Sequence, residues 1–312
     1  MWKAISRLAC AAAVAAAVPA AAQDPAAPAT PVFTARSDLV QLHVNVFDGD
    51  SDAVPELTKE NFLVFEDGRH QEIAFFSSED VPVAAGLVID NSSSMITKRR
   101  LVVAGAMAFA ESSHPEDELF VVGFNEHVRH ALPGDAAFTS SRPLLRARLA
   151  ALRAGGKTAL HDAVIEALDH VERASHQKHV VIVLSDGEDN ASRHTRDEMF
   201  ARAQASDAII YAISTNDPRF GGEGDPGVLR RLASIGGGLA YFPRSEADVV
   251  EAFTEVAENI RRGYSIGYVP TNTARDGTFR RVKVMVRAEG RRLTARCRDG
   301  YIAPAPTSSG GQ

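Results

Sequence analysis

The chain reads as a doubly wound α/β protein: a mostly parallel sheet with helices on both faces, plus a small β module made from its flanks. Three observations predict this. Continuous apolar runs recur at 83–89, 119–124, 180–184 and 209–213, the texture of strands buried on both faces. Segments with helical spacing alternate with them, at 97–112, 141–152, 161–174, 196–206, 227–235 and 246–262, and that alternation signals a parallel sheet. Two of the runs lead into an aspartate, Asp90 and Asp186. Ligand sites in such folds lie beyond the carboxyl ends of the strands, so both carboxylates are expected at one rim.

The first residues have the pattern of a secretory leader. Lys3 and Arg7 precede an apolar stretch from Leu8 to Val18, and Ala20-Ala21-Ala22 offers a small-residue cleavage site. The stretch is shorter than the ~20 residues a membrane span needs, and no later one is long enough. An exported protein, periplasmic or extracellular, is expected. Of two cysteines, Cys10 falls inside the leader, which leaves Cys297 without an internal disulfide partner. It sits in an apparent strand and reads as a small buried hydrophobe rather than a nucleophile.

The 312 residues allow one large domain or two modest ones. With 45% hydrophobic and 24% charged residues, the composition is that of a folded globular chain. The formal net charge of −6 argues against nucleic acid or an anionic membrane as the main partner.

A Pro/Ala-rich linker at 23–35 follows the leader. Residues 36–80 then alternate with period two, as in Leu42-His43-Val44-Asn45-Val46, and Glu66-Asp67-Gly68 is a turn signal between two such runs. They read as a small antiparallel unit. The α/β domain is expected over 81–262. Period two returns in 263–304, at 264–268, 282–286 and 293–295, with Asp276-Gly277 as a hairpin-type turn. Neither flank is large enough to bury a core alone, so the two are expected to pair. Residues 305–312 read as a tail.

Asp90-Asn91-Ser92-Ser93-Ser94 follows a buried run and precedes a helix. An Asp-x-Ser-x-Ser spacing in a tight loop turns three oxygen side chains toward one point, and oxygens are hard ligands for magnesium, manganese or calcium. Taken alone, the pentapeptide is equally a good helix start, with Ser or Asp as the N-cap. Two further elements stand in order behind it. Gly155-Gly156-Lys157-Thr158-Ala159-Leu160 supplies Thr158, and Val181-Ile182-Val183-Leu184-Ser185-Asp186-Gly187 supplies Asp186.

These three elements resemble the metal-ion-dependent adhesion site of the von Willebrand factor type A (VWA) family, whose fold is Rossmann-like. The resemblance covers 83–262. It implies that Ser92 and Ser94 coordinate a divalent cation directly, magnesium first, with manganese or calcium as alternatives. It implies Thr158 as a direct or water-mediated ligand, and Asp90 and Asp186 as acting largely through water. The open position takes a partner's Asp or Glu, which makes the expected function metal-dependent protein binding of an adhesion type. The common form of the motif has glycine where this chain has Ser93. The flanks, through Asn61 to Gly68 and Tyr268 to Asn272, are similar to VWA-related proteins abundant in Acidobacteria.

Rival readings are weaker on the residues. Ala151 to Thr158 loosely matches a phosphate loop, but the segment before it is helical where the motif needs a strand. Glu188 and Asp189 read as a solvated loop, and His161 as a polar residue at a helix start. The ten histidines show no ligand spacing, and no Cys/His cluster points to zinc. A metal-assisted hydrolase lacks an evident base beside Ser92 or Ser94, so no catalytic residue is assigned. An envelope scaffold whose metal only stabilises the fold is the other alternative.

Overall fold

The computed structural model describes residues 39–49, 52–54, 56–134, 136–215, 224–288 and 290–305. The expected leader and linker, and residues 306–312 of the expected tail, lie outside them.

Five strands come first: β1 (Val40–Asp48), β2 (Asp52–Ala53), β3 (Phe62–Glu66), β4 (Arg69–Gln71) and β5 (Ile73–Ser77). The turn at Asp67-Gly68 joins β3 to β4 as a hairpin. Both residues have positive φ, 46° and 80°, the combination a two-residue turn of this hand requires. β1, β3 and β5 do not pair with one another. Their main partners are strands of the C-terminal flank.

The α/β domain follows. Its elements are β6 (Ala84–Asp90), α1 (Arg99–Ser112), β7 (Glu118–Phe124), β8 (Val128–His130), α2 (Arg142–Ala151), α3 (Leu160–Val171), β9 (His179–Ser185), α4 (Arg196–Ala205), β10 (Ile209–Ser214), α5 (Pro226–Gly236), β11 (Ala240–Tyr241) and α6 (Glu246–Arg262). The six strands run in the order β11-β10-β9-β6-β7-β8, all parallel except β8, which is antiparallel to β7. The doubly wound α/β class is as the sequence predicts; the short β8 and β11 were not expected.

Successive residues of a strand point to opposite faces, and both faces here are apolar. Val83, Ala85, Leu87 and Ile89 pack with α1, α2 and α6. Ala84 and Val88 pack with α3, α4 and α5. On the first face α1 and α6 approach closely at Gly105. A Cβ there would fall 2.4 Å from Cδ2 of Phe253. Glycine costs a helix about 1 kcal/mol, and burying the Phe253 ring returns about 1.5–3 kcal/mol, so the packing outweighs the propensity. The buried stripe of α6 is Val249, Ala252, Phe253, Val256, Ala257 and Ile260.

Four strands close the chain: β12 (Tyr264–Tyr268), β13 (Phe279–Val286), β14 (Leu293–Arg296) and β15 (Gly300–Ile302). They pair with the first five in two sheets. One has the order β14-β1-β12-β5, with β2 on β1; the other is β15-β13-β3-β4. Both draw strands from both flanks and share one core, in which Leu42, Val44, Val64, Tyr264 and Ile266 are fully or almost fully buried. The Asp276-Gly277 turn makes no hairpin. β12 and β13 belong to different sheets, and the segment between them crosses from one to the other. Cys297 lies just past β14 rather than within it. It packs against this core, and burial pushes its thiol up to about 12, which suits a hydrophobe and not a nucleophile.

The module meets the domain through polar contacts. Asn45 of β1 donates to the buried hydroxyl of Tyr211 on β10 at 2.9 Å. Arg231 of α5 pairs with Asp299, beyond β14, at 3.2 Å.

Candidate metal centre

Asp90 is the last residue of β6, and Asp186 directly follows β9. The two strands are neighbours, with Ile89 opposite Leu184. From β6 the chain continues to β7 on one side, and from β9 to β10 on the other. This is the point where strand order reverses, and the loops part there to leave a crevice.

Asp90 is 1% exposed. Its Oδ1 accepts from the Ser92 amide at 2.8 Å, and its Oδ2 from the Ser185 hydroxyl at 2.8 Å. Burial raises the Asp90 pKa and the nearby Asp186 adds to that, while the bonds from Ser92 and Ser185 act against it. The Ser92 and Ser94 hydroxyls lie 3.1 Å apart, and Ser94 donates to Asp186 Oδ2 at 3.1 Å. Asp186 Oδ1 accepts from the Glu188 amide at 3.1 Å. Asp90, Ser92, Ser94 and Asp186 thus form one hydrogen-bonded chain. Ser92 and Asp186 are buried, and Ser94 is exposed, so the cluster opens to solvent at Ser94.

Thr158 is anchored through its backbone to the loop that follows Asp186, not to the chain of Asp90, Ser92, Ser94 and Asp186. Its amide donates to Asn190 Oδ1 at 2.9 Å, and its carbonyl accepts from the amides of Asn190 and Ala191 at 2.9 and 3.0 Å. Its loop is clamped from the other side by Ser93. The Ser93 hydroxyl donates to the Gly156 carbonyl at 3.0 Å and accepts from the Gly156 amide at 3.1 Å. The Ser93 amide donates to the same carbonyl at 3.1 Å. The one departure from the common motif therefore ties the first loop to the Thr158 loop, a role that spacing could not reveal. Asn125 adds a bond from its side chain to the Gly155 carbonyl at 3.0 Å.

Gly187 follows Asp186 with φ +88°, and a Cβ there would meet the Asp225 carbonyl oxygen at 2.3 Å. Only glycine suits both the left-handed backbone and the close approach. Beside it Glu188, Asp189, Asp197, Asp225, Arg196 and His161 line an open cleft of about 440 Å³. Two of these carboxylates are engaged in holding loops. Asp189 accepts from the His161 amide at 3.0 Å and from the Ser192 hydroxyl at 2.5 Å. Asp225 caps α5 by accepting from Gly227 and Val228. His161 stays a first-turn residue of α3, its Nδ1 3.1 Å from the His194 carbonyl.

The residues that could hold an ion offer oxygen only: the carboxylates of Asp90 and Asp186 and the hydroxyls of Ser92, Ser94 and Thr158. Such a set fits a hard divalent cation.

Residues 86–188 match the family described as von Willebrand factor type A domain. No curated protein matches the sequence. Among solved structures, one described as von Willebrand factor type A from Catenulispora acidiphila is similar, with TM-score 0.51 and 17% identity, covering 88% of this chain and 76% of that one. That coverage extends beyond the α/β domain into the flanks. The vWF domain of the type V pili tip protein Mfa5 from Porphyromonas gingivalis gives TM-score 0.47 and 14% identity, covering 58% and 95%. BatB from Bacteroides thetaiotaomicron gives 0.45 and 17%, covering 57% and 98%.

Proposed function

We propose, from the premise that this chain carries a von Willebrand factor type A domain, that it is an exported, metal-dependent protein-binding module. The observation that carries the reading is the hydrogen-bonded chain of Asp90, Ser92, Ser94 and Asp186 at the sheet's reversal point. Ser92, Ser94 and Thr158 would hold a divalent ion, magnesium first, with Asp90 and Asp186 balancing its charge. When bound, the ion supplies an electrophilic position that an Asp or Glu of a protein partner can fill. Ser185 fixes the Asp90 carboxylate, and Ser93 fixes the Thr158 loop, so the donors stand in place before any ligand arrives. That preorganisation lowers the cost of binding.

Binding is favoured over hydrolysis because the Ser92 and Ser94 hydroxyls bond to each other and Ser94 donates to Asp186, and among the described residues neither hydroxyl is hydrogen-bonded to a histidine. Export rests on the leader pattern of residues 1–22. No helix among the described residues is long and apolar enough to cross a membrane.

Calorimetry with magnesium on the wild-type protein and on Asp90→Ala tests the site. The variant should bind at least about tenfold more weakly, the smallest effect expected even of an outer-sphere group. Equal affinities would remove the metal from the reading. Capture from envelope extract, with magnesium and with chelator, then separates a metal-dependent partner from a scaffold role.

A further inference from the structure

Away from the rim, at the β8 edge of the sheet, three side chains converge that the proposed function does not use. Glu166 and His170 stand four residues apart on α3 and so share one of its faces. His130 arrives from β8, three residues long and antiparallel to β7. One potential ligand atom from each of the three lies within 4.8 Å of the others. His130 Nε2 is 2.8 Å from Glu166 Oε1, and both side chains are partly exposed, 37% and 42%.

His170 is the informative member. It is 5% exposed, packed against Phe120, Phe138 and the ring of His130, with centroids 4.6, 4.9 and 4.4 Å away. Its Nε2 lies 2.8 Å from the carbonyl oxygen of Ala137. A carbonyl only accepts, so Nε2 carries the proton and Nδ1 holds a lone pair. That Nδ1 is buried and has no hydrogen-bond partner. A buried acceptor without a partner is uncommon and calls for a reason. An imidazole that donates one N–H to a backbone carbonyl and offers its other nitrogen is the arrangement found in metal-ligating histidines.

We propose that His130, Glu166 and His170 form a second metal site, for a transition ion of the zinc class, separate from the oxygen-only centre at the rim. Two imidazoles and one carboxylate are the donors zinc takes, whereas magnesium and calcium prefer oxygen alone. Bonds of about 2.0–2.2 Å would draw the three ligand atoms closer than 4.8 Å. The exposed His130, on an edge strand, is the side chain with room to move, while His170 is fixed by its aromatic cage. Three protein ligands would leave a fourth position of the ion for water or an outside ligand. The bound ion would staple β8 to α3, the helix that begins two residues after Thr158.

The test is zinc titration by calorimetry of the full chain and of Asp90→Ala, His130→Ala, Glu166→Gln and His170→Gln, with folding of each checked by circular dichroism. Wild type and Asp90→Ala should bind one zinc ion with equal affinity. His130→Ala and Glu166→Gln change partly exposed side chains and should remain folded. Each should bind zinc at least about tenfold more weakly. If zinc does not bind, or binds these two variants as it binds wild type, the cluster is only an ion pair beside a packed histidine and the proposal fails. If Asp90→Ala alone abolishes binding, zinc goes to the rim and the proposal fails equally. A folded His170→Gln should lose zinc affinity as the other two do; the two partly exposed ligands decide the matter without it.

Discussion

The α/β domain and the β module solve the same problem, burying apolar strands, in opposite ways. In the domain every central strand finds its neighbours inside 81–262, and both faces of each strand are covered by helices of the same segment. In the module no large strand of the first flank has its main partner in that flank. β12 lies between β1 and β5, and β13 lies beside β3. The domain's contacts close over short stretches of chain. The module's contacts close only after the whole domain has intervened, a long loop whose closure entropy must be met first. The module is therefore the part whose integrity depends on both ends of the chain.

The largest way to break that contrast is Ile266→Asp. Ile266 is fully buried in β12, opposite Leu42 of β1 and Phe76 of β5. An unpaired charge in that position costs several kcal/mol. Hydrogen exchange should then show β1 and β5 losing protection along with β12, while β6, β9 and β10 keep theirs. Protection retained in β1 and β5 would mean that the first flank is held by something other than β12.

The same contrast explains what was legible. Six helices and four central strands follow from periodicity, because a doubly covered strand and an amphipathic helix each write their environment into neighbouring residues. The helix expected at 141–152, for example, is found at Arg142–Ala151. β8 and β11 escape because three- and two-residue strands carry no period. The pairing of β5 with β12 escapes because alternation gives a strand's faces and not its neighbour. At the rim, the motif names residues whose spacing is local, Asp90 to Ser94, and the fold adds what is not local: the Ser93–Gly156 clamp and the Ser185 bond to Asp90. The His130, Glu166 and His170 cluster was hidden for the same reason. Half of its geometry is an i, i+4 pair, and the other half is an edge strand that sequence alone did not reveal.

A middle-sized effect sharpens the rim. Ser93→Gly restores the common motif and removes the side-chain clamp on Gly156. Two side-chain hydrogen bonds at an exposed site contribute about 0.5–1.5 kcal/mol each at most. Magnesium affinity should fall by a few-fold, measured by calorimetry beside Asp90→Ala, while thermal stability changes little. An affinity equal to wild type would show that the Thr158 loop is held by Asn125 and Asn190 without Ser93.

The smallest effect concerns the joint between the two regions. His179 begins β9, and its Nδ1 lies 2.8 Å from Asp207 Oδ1. Burial pulls the His179 pKa down, but the hydrogen bond and charge of Asp207 outweigh it, and the pKa sits above its ordinary value. Burial pushes Asp207 up, and His179, Arg298 and His43 together hold it below the usual carboxylate range. The raised histidine contributes stability below pH ~6.5 and loses it as pH rises through its folded pKa. The lowered aspartate contributes above pH ~3.9 and loses it as pH falls through its own folded pKa. The pair is therefore most stabilising between about pH 4 and 6.5. His43 of the module works the other way. Burial, with Lys178 nearby, holds its pKa at about 3, so acidification below pH ~6.5 costs stability through it. Because His43 is present in both proteins, its cost largely cancels when wild type is compared with His179→Gln. Urea unfolding of the two should give a gap at pH 5.5 that shrinks at pH 8.5. Asp207 is half exposed, so the gap should be modest, as for other solvent-screened pairs. A gap that is the same at both pH values would mean that His179 matters only for its packing.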